Sequence, residues 1–442
     1  MPSTDRPAGT VVGAPAGTAP AGDRPSAGQL APLLVEAAPI IEAFTSAGHR
    51  LYLVGGIVRD LLAGRVDDLE TDLDFTTDAK PPDIKEIVGP VVDALWTQGE
   101  RFGTIGAKIG DRTYEITTHR AEIYSDDSRK PDVRFSDAID EDLSRRDFTV
   151  NAMAVDVADS SLVDPYGGAA DLTARILRTP LDPEISFADD PLRMLRAARF
   201  AAGYDLAPVE GLRSAMGSMA DRMAIVSIER IRDELDKLLA VAAAPVGLRL
   251  LADTGLLSRL LPWADDRSDA DEFIARVERV GTDPTLRLAA LVADADPATV
   301  RARLRHLRYS TAKTGEVATI VAGAVALIDG GGTDAPGFRR WFARVGPLAE
   351  AARTVAPALD PAALGAVETS RRLQADLADE LADLGPPLTA HQIMRELGWE
   401  PGPRIGRAMN HLTELRLDHG PLDEEAARTA LRAWAATADR AD

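Results

Sequence analysis

The sequence predicts an α+β chain: a small head that mixes short strands with helices, followed by a long helical remainder. Three observations carry this. Strand-like runs all lie before Val157, whereas from Pro191 onward apolar residues recur at helical spacing almost throughout. The chain is 45% hydrophobic but only 5% aromatic, and its apolar residues are mostly Ala, Leu and Val, a composition that suits helices. Its 442 residues exceed a single compact core, so roughly two to four domains are expected.

Taken in order, Met1 to Leu30 is rich in Ala, Pro, Gly, Ser and Thr and has neither an apolar core nor a basic leader. It reads as a disordered tail and not as a signal peptide. Ala31 to Ala47 is an apolar-periodic helix. Arg50 to Val54 is a short strand, Gly55-Gly56 breaks it, and Ile57 to Ala63 restarts as a helix. Asp72 to Phe75 is a second strand and Ile84 to Leu95 a helix. Thr104–Ile109 and Arg112–Thr117 alternate as a hairpin around Gly110-Asp111. His119 to Asp137 is polar, carries Arg129-Lys130-Pro131 and reads as a long loop. Helical pattern returns near Ile139, and Thr149 to Val157 fits helix or strand. Helices then run over Pro191–Ala202, Ile228–Ala242, Pro245–Thr254 and many segments to Trp434. They are interrupted at Pro262–Asp269, Gly330–Gly337 and Gly385–Pro387, where Gly, Pro and Asp cluster. No fixed-period repeat is present.

Composition narrows the function. There is no cysteine, so disulfides and thiolate metal sites are excluded, which fits a reducing cytoplasmic setting. No run of about 18 apolar residues stands out, so no membrane span is expected. The net charge of −20 argues against a protein that coats nucleic acid non-specifically. Any RNA contact is expected in arginine-lined grooves, with acidic surface elsewhere.

Four segments carry chemistry. Asp72 and Asp74 stand one residue apart on a strand, so both point to one face while Leu73 points into the core. Two such carboxylates repel unless cations neutralise them, and a pair of Mg²⁺ ions can clamp the oxygens of a phosphoryl transfer. The pair also fits a solvated strand end. Glu115 reads either as a third acid across the sheet or as an exposed strand residue. Gly55-Gly56 lets backbone N–H groups approach phosphate, with Arg59 one turn into the helix; a plain turn with Arg59 paired to Asp60 also fits. In Arg145-Arg146-Asp147 the arginines suit phosphate and the carboxylate suits a ribose hydroxyl, although a surface ion-pair cluster has the same composition. Finally, Asp189-Asp190-Pro191 opens a helix on which Asp190, Arg193, Arg196 and Arg199 recur every three residues. Capping with an exposed basic strip explains that spacing. So does base reading: a carboxylate accepts from the exocyclic amine of cytosine or adenine while a guanidinium donates to the ring nitrogen. Uracil and guanine would leave the carboxylate without a proton to accept. Whether Asp189 or Asp190 caps the helix stays open.

These segments, in this order, resemble the tRNA nucleotidyltransferase (CCA-adding enzyme) and bacterial poly(A) polymerase family, within the polymerase-β-like nucleotidyltransferases. The resemblance is dense from Ala31 to Leu239. It includes Asp164-Pro165-Tyr166-Gly167-Gly168 and Ser227 to Leu235, and continues weakly through Met394-Arg395-Glu396-Leu397-Gly398 and Pro401 to Gly406. It implies a small mixed-sheet nucleotidyltransferase head over 31–178 and a neck of nucleotide-selecting helices over 179–242. A helical body over 243–384 and a tRNA-binding tail over 385–442 would follow. By position, Gly56 and Arg59 would contact the triphosphate, and Asp72 and Asp74 would hold Mg²⁺; Glu115, from its place on the strand and not from the resemblance, is kept beside them as a candidate catalytic acid. Arg146 would touch the nucleotide, with Asp147 near the ribose, and Asp190, Arg193, Arg196 and Arg199 would form the amino-acid template. The implied activity is addition of CMP and AMP from CTP and ATP to the tRNA acceptor arm. A poly(A) polymerase, a partial CC- or A-adding enzyme and a non-catalytic RNA-binding protein are the competing readings. The acidic end from Glu424 to Asp442 favours the tRNA enzyme over a poly(A) polymerase, which would need a basic extension.

The chain departs from the family pattern at several points. Asp189 replaces the usual Glu of the template, His119 stands where Phe is common, and the loop around Arg129-Lys130-Pro131 is slightly short. In many relatives the body carries a His-Asp hydrolase site. Here Leu288 to Ala295 occupies that place without a histidine, so no second hydrolase activity is expected.

Overall fold

The computed structural model describes residues 27–65, 72–123, 132–263 and 267–438. The segment Arg129-Lys130-Pro131 and most of the N-terminal tail lie outside the described residues. The chain divides into two compact units at Arg222/Met223. The first unit holds strands β1 (Leu51–Val54), β2 (Asp72–Thr77), β3 (Ala94–Trp96), β4 (Thr104–Ile109), β5 (Arg112–Thr118), β6 (Arg120–Ile123), β7 (Asp132–Phe135), β8 (Ala154–Asp156), β9 (Leu162–Val163), β10 (Ile176–Leu177) and β11 (Ala207–Pro208). Its helices are α1 (Ala27–Glu36), α2 (Ala38–Ala47), α3 (Gly56–Leu62), α4 (Pro81–Val88), α5 (Ile139–Ser144), α6 (Gly168–Ala174), α7 (Pro183–Asp189), α8 (Leu192–Tyr204) and α9 (Glu210–Ser218).

Seven strands form one mixed sheet in the order β3-β4-β5-β2-β1-β8-β9. The central β2–β5 pair is parallel and its neighbours are antiparallel. The alternation Asp-Leu-Asp-Phe along β2 sets the two faces. Leu73 and Phe75 point to the side where Tyr114 stacks beside Phe75 and donates its hydroxyl to the Glu36 carbonyl. Asp72 and Asp74 point to the other side. On that other side, over β1 and β8, Leu143 of α5 packs with Tyr52, Val54, Ala152 and Ala154. Full burial of Leu143 alone stabilises by roughly 1.5–3 kcal/mol. It thereby fixes α5 beside the acids.

Several expectations are corrected. The single helix over Ala31–Ala47 is two helices, bent by 71° at Ala37. Pro39, in the first turn of α2, lacks an N–H, and its ring would clash with the Val35 carbonyl in a continuous helix. The tail does not extend to Leu30: α1 begins at Ala27, and Leu30 is buried. The helix over Ile84–Leu95 stops at Val88, because Pro90 cannot donate a bond back into it, and Leu95 lies in β3. His119–Asp137 is not all loop, since β6 and β7 pair within it as an antiparallel hairpin.

Among the described residues the second unit contains helices and turns but no strand. Its body comprises α10 (Ile228–Ala240), α11 (Ala244–Asp253), α12 (Leu256–Leu260), α13 (Arg267–Arg279), α14 (Pro284–Val292), α15 (Pro297–His306), α16 (Thr311–Ile328), α17 (Ala335–Val345), α18 (Ala349–Leu359), α19 (Leu364–Asp376) and α20 (Ala378–Leu381). The buried Arg287 of α14 caps the end of α10 by donating to the carbonyls of Leu239, Val241 and Ala242 at 2.5–2.8 Å. It thus satisfies groups a helix C-terminus otherwise leaves open. No unbroken apolar run spans the 18 residues of α16, whose sequence includes Lys313 and Glu316. Helix α16, and the bent α1–α2 pair if taken as one span, are long and apolar enough to cross a membrane by length and composition. The buried residues of α16, among them Val317, Ile320, Val321 and Leu327, pack within the body against α14, α17 and α18. The tail helices α21 (Ala390–Leu397), α22 (Pro403–His419) and α23 (Glu424–Ala438) close on their own core of Leu388, Ile393, Ile405, Ala408, Leu412, Ala427 and Leu431.

Candidate active site

The acid face of the sheet is built by strand register. Asp72 and Asp74 are exposed on one side of β2, with Leu73 fully buried on the other. Glu115 of β5 is the direct partner of Asp74 and is likewise exposed, so it stands beside the pair on the same face. The row continues through Gly106 of β4 to Trp96 of β3. A Cβ on Gly106 would fall 2.0 Å from the indole nitrogen of Trp96, so glycine lets that ring lie flat against the strand. Among the described residues no three His, Cys, Asp or Glu side chains converge as a metal cage of their own. The oxygen donors of Asp72 and Asp74 nonetheless fit a small hard cation, which commonly takes one or two carboxylates and completes its shell with water and substrate phosphate.

Next to the acids lies the glycine turn. Gly55 adopts φ +82°, a conformation costly for any residue with a Cβ. A Cβ there would lie 3.5 Å from both Asp74 Oδ2 and Arg146 Nη1. The turn, one acid and one predicted nucleotide arginine therefore meet at a single point. Arg59 does not join them at the surface. It is 6% exposed, with Nη1 donating to Asn151 at 2.6 Å, Nε and Nη2 to Asp60, and Nη2 also to the Tyr204 hydroxyl. Its guanidinium stacks 4.0 Å from the Tyr204 ring, which makes it the joint between α3 and α8.

The arginine pair is held by a residue that the sequence reading passed over. Asp142 of α5 is fully buried. Its Oδ1 accepts from Arg145 Nε at 3.2 Å and Nη2 at 2.9 Å, and its Oδ2 accepts from Arg146 Nη2 at 3.1 Å. Oδ1 also accepts the Arg120 backbone N–H at the root of β6, at 3.3 Å. Burial opposes ionisation here, but Arg145 and Arg146 outweigh it and hold the carboxyl well below the usual carboxylate range. The signal was present: Asp142 precedes the pair by three and four residues, the spacing that places side chains together on a helix.

Asp147 behaves in the same way. Burial opposes its ionisation, and Arg196 together with the Asn151 hydrogen bond lowers its pKa. Its Oδ1 accepts from Phe148 N and Asn151 Nδ2, both at 2.9 Å, and its Oδ2 accepts from Arg196 Nε at 2.9 Å. The structure thus directs this carboxylate to α8. His119 is buried on the acid face, with Nδ1 2.8 Å from Thr76 Oγ1; Nε2 has no partner among the described residues. Burial lowers its pKa, partly countered by Asp142 and Asp78.

Helix α8 begins where the Asp-Pro signature places it. Asp189 is the last residue of α7, and Asp190, in extended conformation just before α8, accepts the Leu192 N–H at 3.2 Å through Oδ1. Arg193, Arg196 and Arg199 are half-buried on a helix whose other positions are mostly buried. Arg193 donates to Ser186 Oγ at 2.8 Å and to the Arg145 carbonyl. Arg199 lies 4.6 Å from the Phe200 ring. Asp74, Gly55, Arg146, Asp142, Arg145 and Arg193 therefore form one connected path from the acid face to the start of α8.

Residues 51–178 match the family model described as the poly A polymerase head domain, and residues 208–267 match that of the probable RNA and SrmB-binding site of polymerase A. A CCA-adding enzyme from Lactobacillus helveticus is 30% identical over 403 residues, 89% of this chain and 96% of that protein. The chain belongs to the CCA-adding enzyme family. A CCA-adding enzyme from Bacillus velezensis is 38% identical over 227 residues, a match spanning 51% of this chain and 55% of that protein. The crystal structure of the Bacillus stearothermophilus CCA-adding enzyme in complex with CTP superposes with a TM-score of 0.73 at 28% identity, covering 92% of this chain and 99% of that one. The mixed-sheet head and helical remainder are the fold of this CCA-adding enzyme family.

Proposed function

We propose that this CCA-adding enzyme family member transfers CMP, CMP and AMP to the 3′ end of tRNA without a nucleic acid template. The observation that supports this best is the meeting of Asp74, Gly55 and Arg146 on an acid-bearing sheet face. In the reaction the terminal ribose 3′-oxygen forms a bond to the α-phosphorus of CTP or ATP and gives up its proton to water. The bond between that phosphorus and the α–β bridging oxygen breaks, and pyrophosphate departs with the electron pair. Asp72 and Asp74 would hold Mg²⁺, which supplies charge stabilisation at the phosphates when bound. Glu115 stands beside Asp74 as a third carboxylate. Arg146 orients the nucleotide against the glycine turn, where Gly56 admits phosphate to the backbone and Arg59 holds α3 in place. Asp147, in this reading, works on the ribose side through Arg196.

Asp190 and Arg193 select the base, accepting from the exocyclic amine and donating to the ring nitrogen of cytosine or adenine. Arg193 would exchange its bond to Ser186 for the base edge, while Arg196 and Arg199 extend the basic side of α8. The tail over 385–442 would bind tRNA by shape and phosphate contacts, since duplex RNA shows little sequence to read. The cytoplasm, where tRNA is matured, is the setting this reading requires.

The test uses purified full-length protein, tRNA ending before CCA, an unrelated RNA primer, and CTP and ATP supplied singly and together. Growth by three nucleotides on tRNA alone is expected. Long A tracts on any primer would instead assign a poly(A) polymerase, addition of only CC or only A a partial enzyme, and no incorporation by folded protein a binding protein.

A further inference from the structure

The proposed nucleotidyl transfer leaves the buried charge of Asp142 without a task. Asp142 touches neither the acids nor the predicted base-reading pair, yet it is fully buried and gathers donors from three places. We propose that Asp142 is a positioning residue that aims the Arg146 guanidinium at the Gly55–Asp74 edge and locks that aim to the start of α8.

The geometry supports each half of this. Arg146 approaches the acid edge through Nη1, 3.5 Å from where a Gly55 Cβ would sit, while its Nη2 is tied to Asp142 Oδ2 at 3.1 Å. A planar guanidinium with one end fixed can present its other end in one orientation only. The second half runs through Arg145. Its side chain lies on Asp142 Oδ1, and its backbone carbonyl accepts from Arg193 at the head of α8. A shift of α8 therefore moves the peptide between Arg145 and Arg146, and Asp142 resists that shift from a fixed platform. The platform is α5, anchored on the sheet by the neighbouring Leu143. The Arg120 N–H adds the root of the β6–β7 hairpin to the same carboxylate. An ordinary structural ion pair needs one partner. Two adjacent arginines, one of which faces the reaction edge, point to control of where a guanidinium is held.

This rests on the proposed nucleotidyl transfer, and the test separates the two. Asp142→Asn, Arg146→Lys and the double variant are compared with wild type for KM and kcat toward CTP and ATP on tRNA lacking CCA, with KM for tRNA as the internal control. Loss of a charge-assisted bond that fixes a nucleotide-binding group should raise nucleotide KM roughly 10- to 100-fold. The tRNA KM should stay within about twofold. The double variant should be no worse than the more impaired single one, because both changes act through one guanidinium. If Asp142→Asn fails to fold, Asp142→Glu carries the same measurement, since it keeps the charge and displaces the carboxylate by one methylene. A folded Asp142 variant with wild-type nucleotide KM, or losses that multiply in the double variant, would overturn the proposal. Wild type that incorporates neither nucleotide would instead overturn the function it rests on.

Discussion

Two groups of aspartates in the first unit are treated in opposite ways. Asp72 and Asp74 are exposed on its central strand β2, beside Glu115 and the glycine turn. Asp142 and Asp147 are buried and held by arginines and amides that outweigh the desolvation opposing their charge. A carboxylate presented to solvent can accept a cation that arrives with substrate. One locked into a buried pair cannot do so cheaply, but it can fix a guanidinium in place. The exposed carboxylates are thus equipped for chemistry and the buried ones for aim.

The comparison can be broken first at the exposed pair. Asp72→Asn and Asp74→Asn should each reduce CMP transfer by roughly 1,000-fold or more while leaving the unfolding curve unchanged, because each removes charge stabilisation worth several kcal/mol from a site that contributes little to packing. Retained transfer in either variant would move the chemistry elsewhere. The buried segment should respond in stability. Removing one partner of a buried pair typically costs about 3–5 kcal/mol, so Asp147→Asn, which abandons Arg196, should unfold at markedly lower urea concentration. A wild-type curve would mean that the Asp147–Arg196 bond is not structural. The smallest effect is expected at His119. Its folded pKa is lowered, so the unfolded state binds a proton first, and stability is lost as pH falls through about 6.5. His119→Phe should flatten the fall in stability between pH 8 and pH 5.5 in urea titrations, and an unchanged pH dependence would show that burial does not hold the ring neutral.

Much of the site was legible in the residues. The β4–β5 hairpin formed around Gly110-Asp111, and the i, i+2 spacing placed Asp72 and Asp74 on one face, because both signals are local. Contacts made across long separations were not legible. Arg59 packs against Tyr204, 145 residues away, and nothing near Arg59 announces that partner. Helix α7 was missed although Asp182-Pro183 opens it with the same residue pair as Asp190-Pro191, since seven residues are too few to display a period. The bend before Pro39 and the role of Asp142 were written in plain spacing, but each needed the fold to show which of several local signals prevails.

The division between aim and chemistry is tested most directly by separating binding from transfer in Asp74→Asn. Calorimetric binding of CTP and single-turnover CMP transfer to tRNA lacking CCA should be measured on the same protein. The account predicts CTP affinity within about tenfold of wild type, carried by the intact arginines, with transfer almost abolished. Loss of binding in step with loss of transfer, or transfer at the wild-type rate, would contradict it.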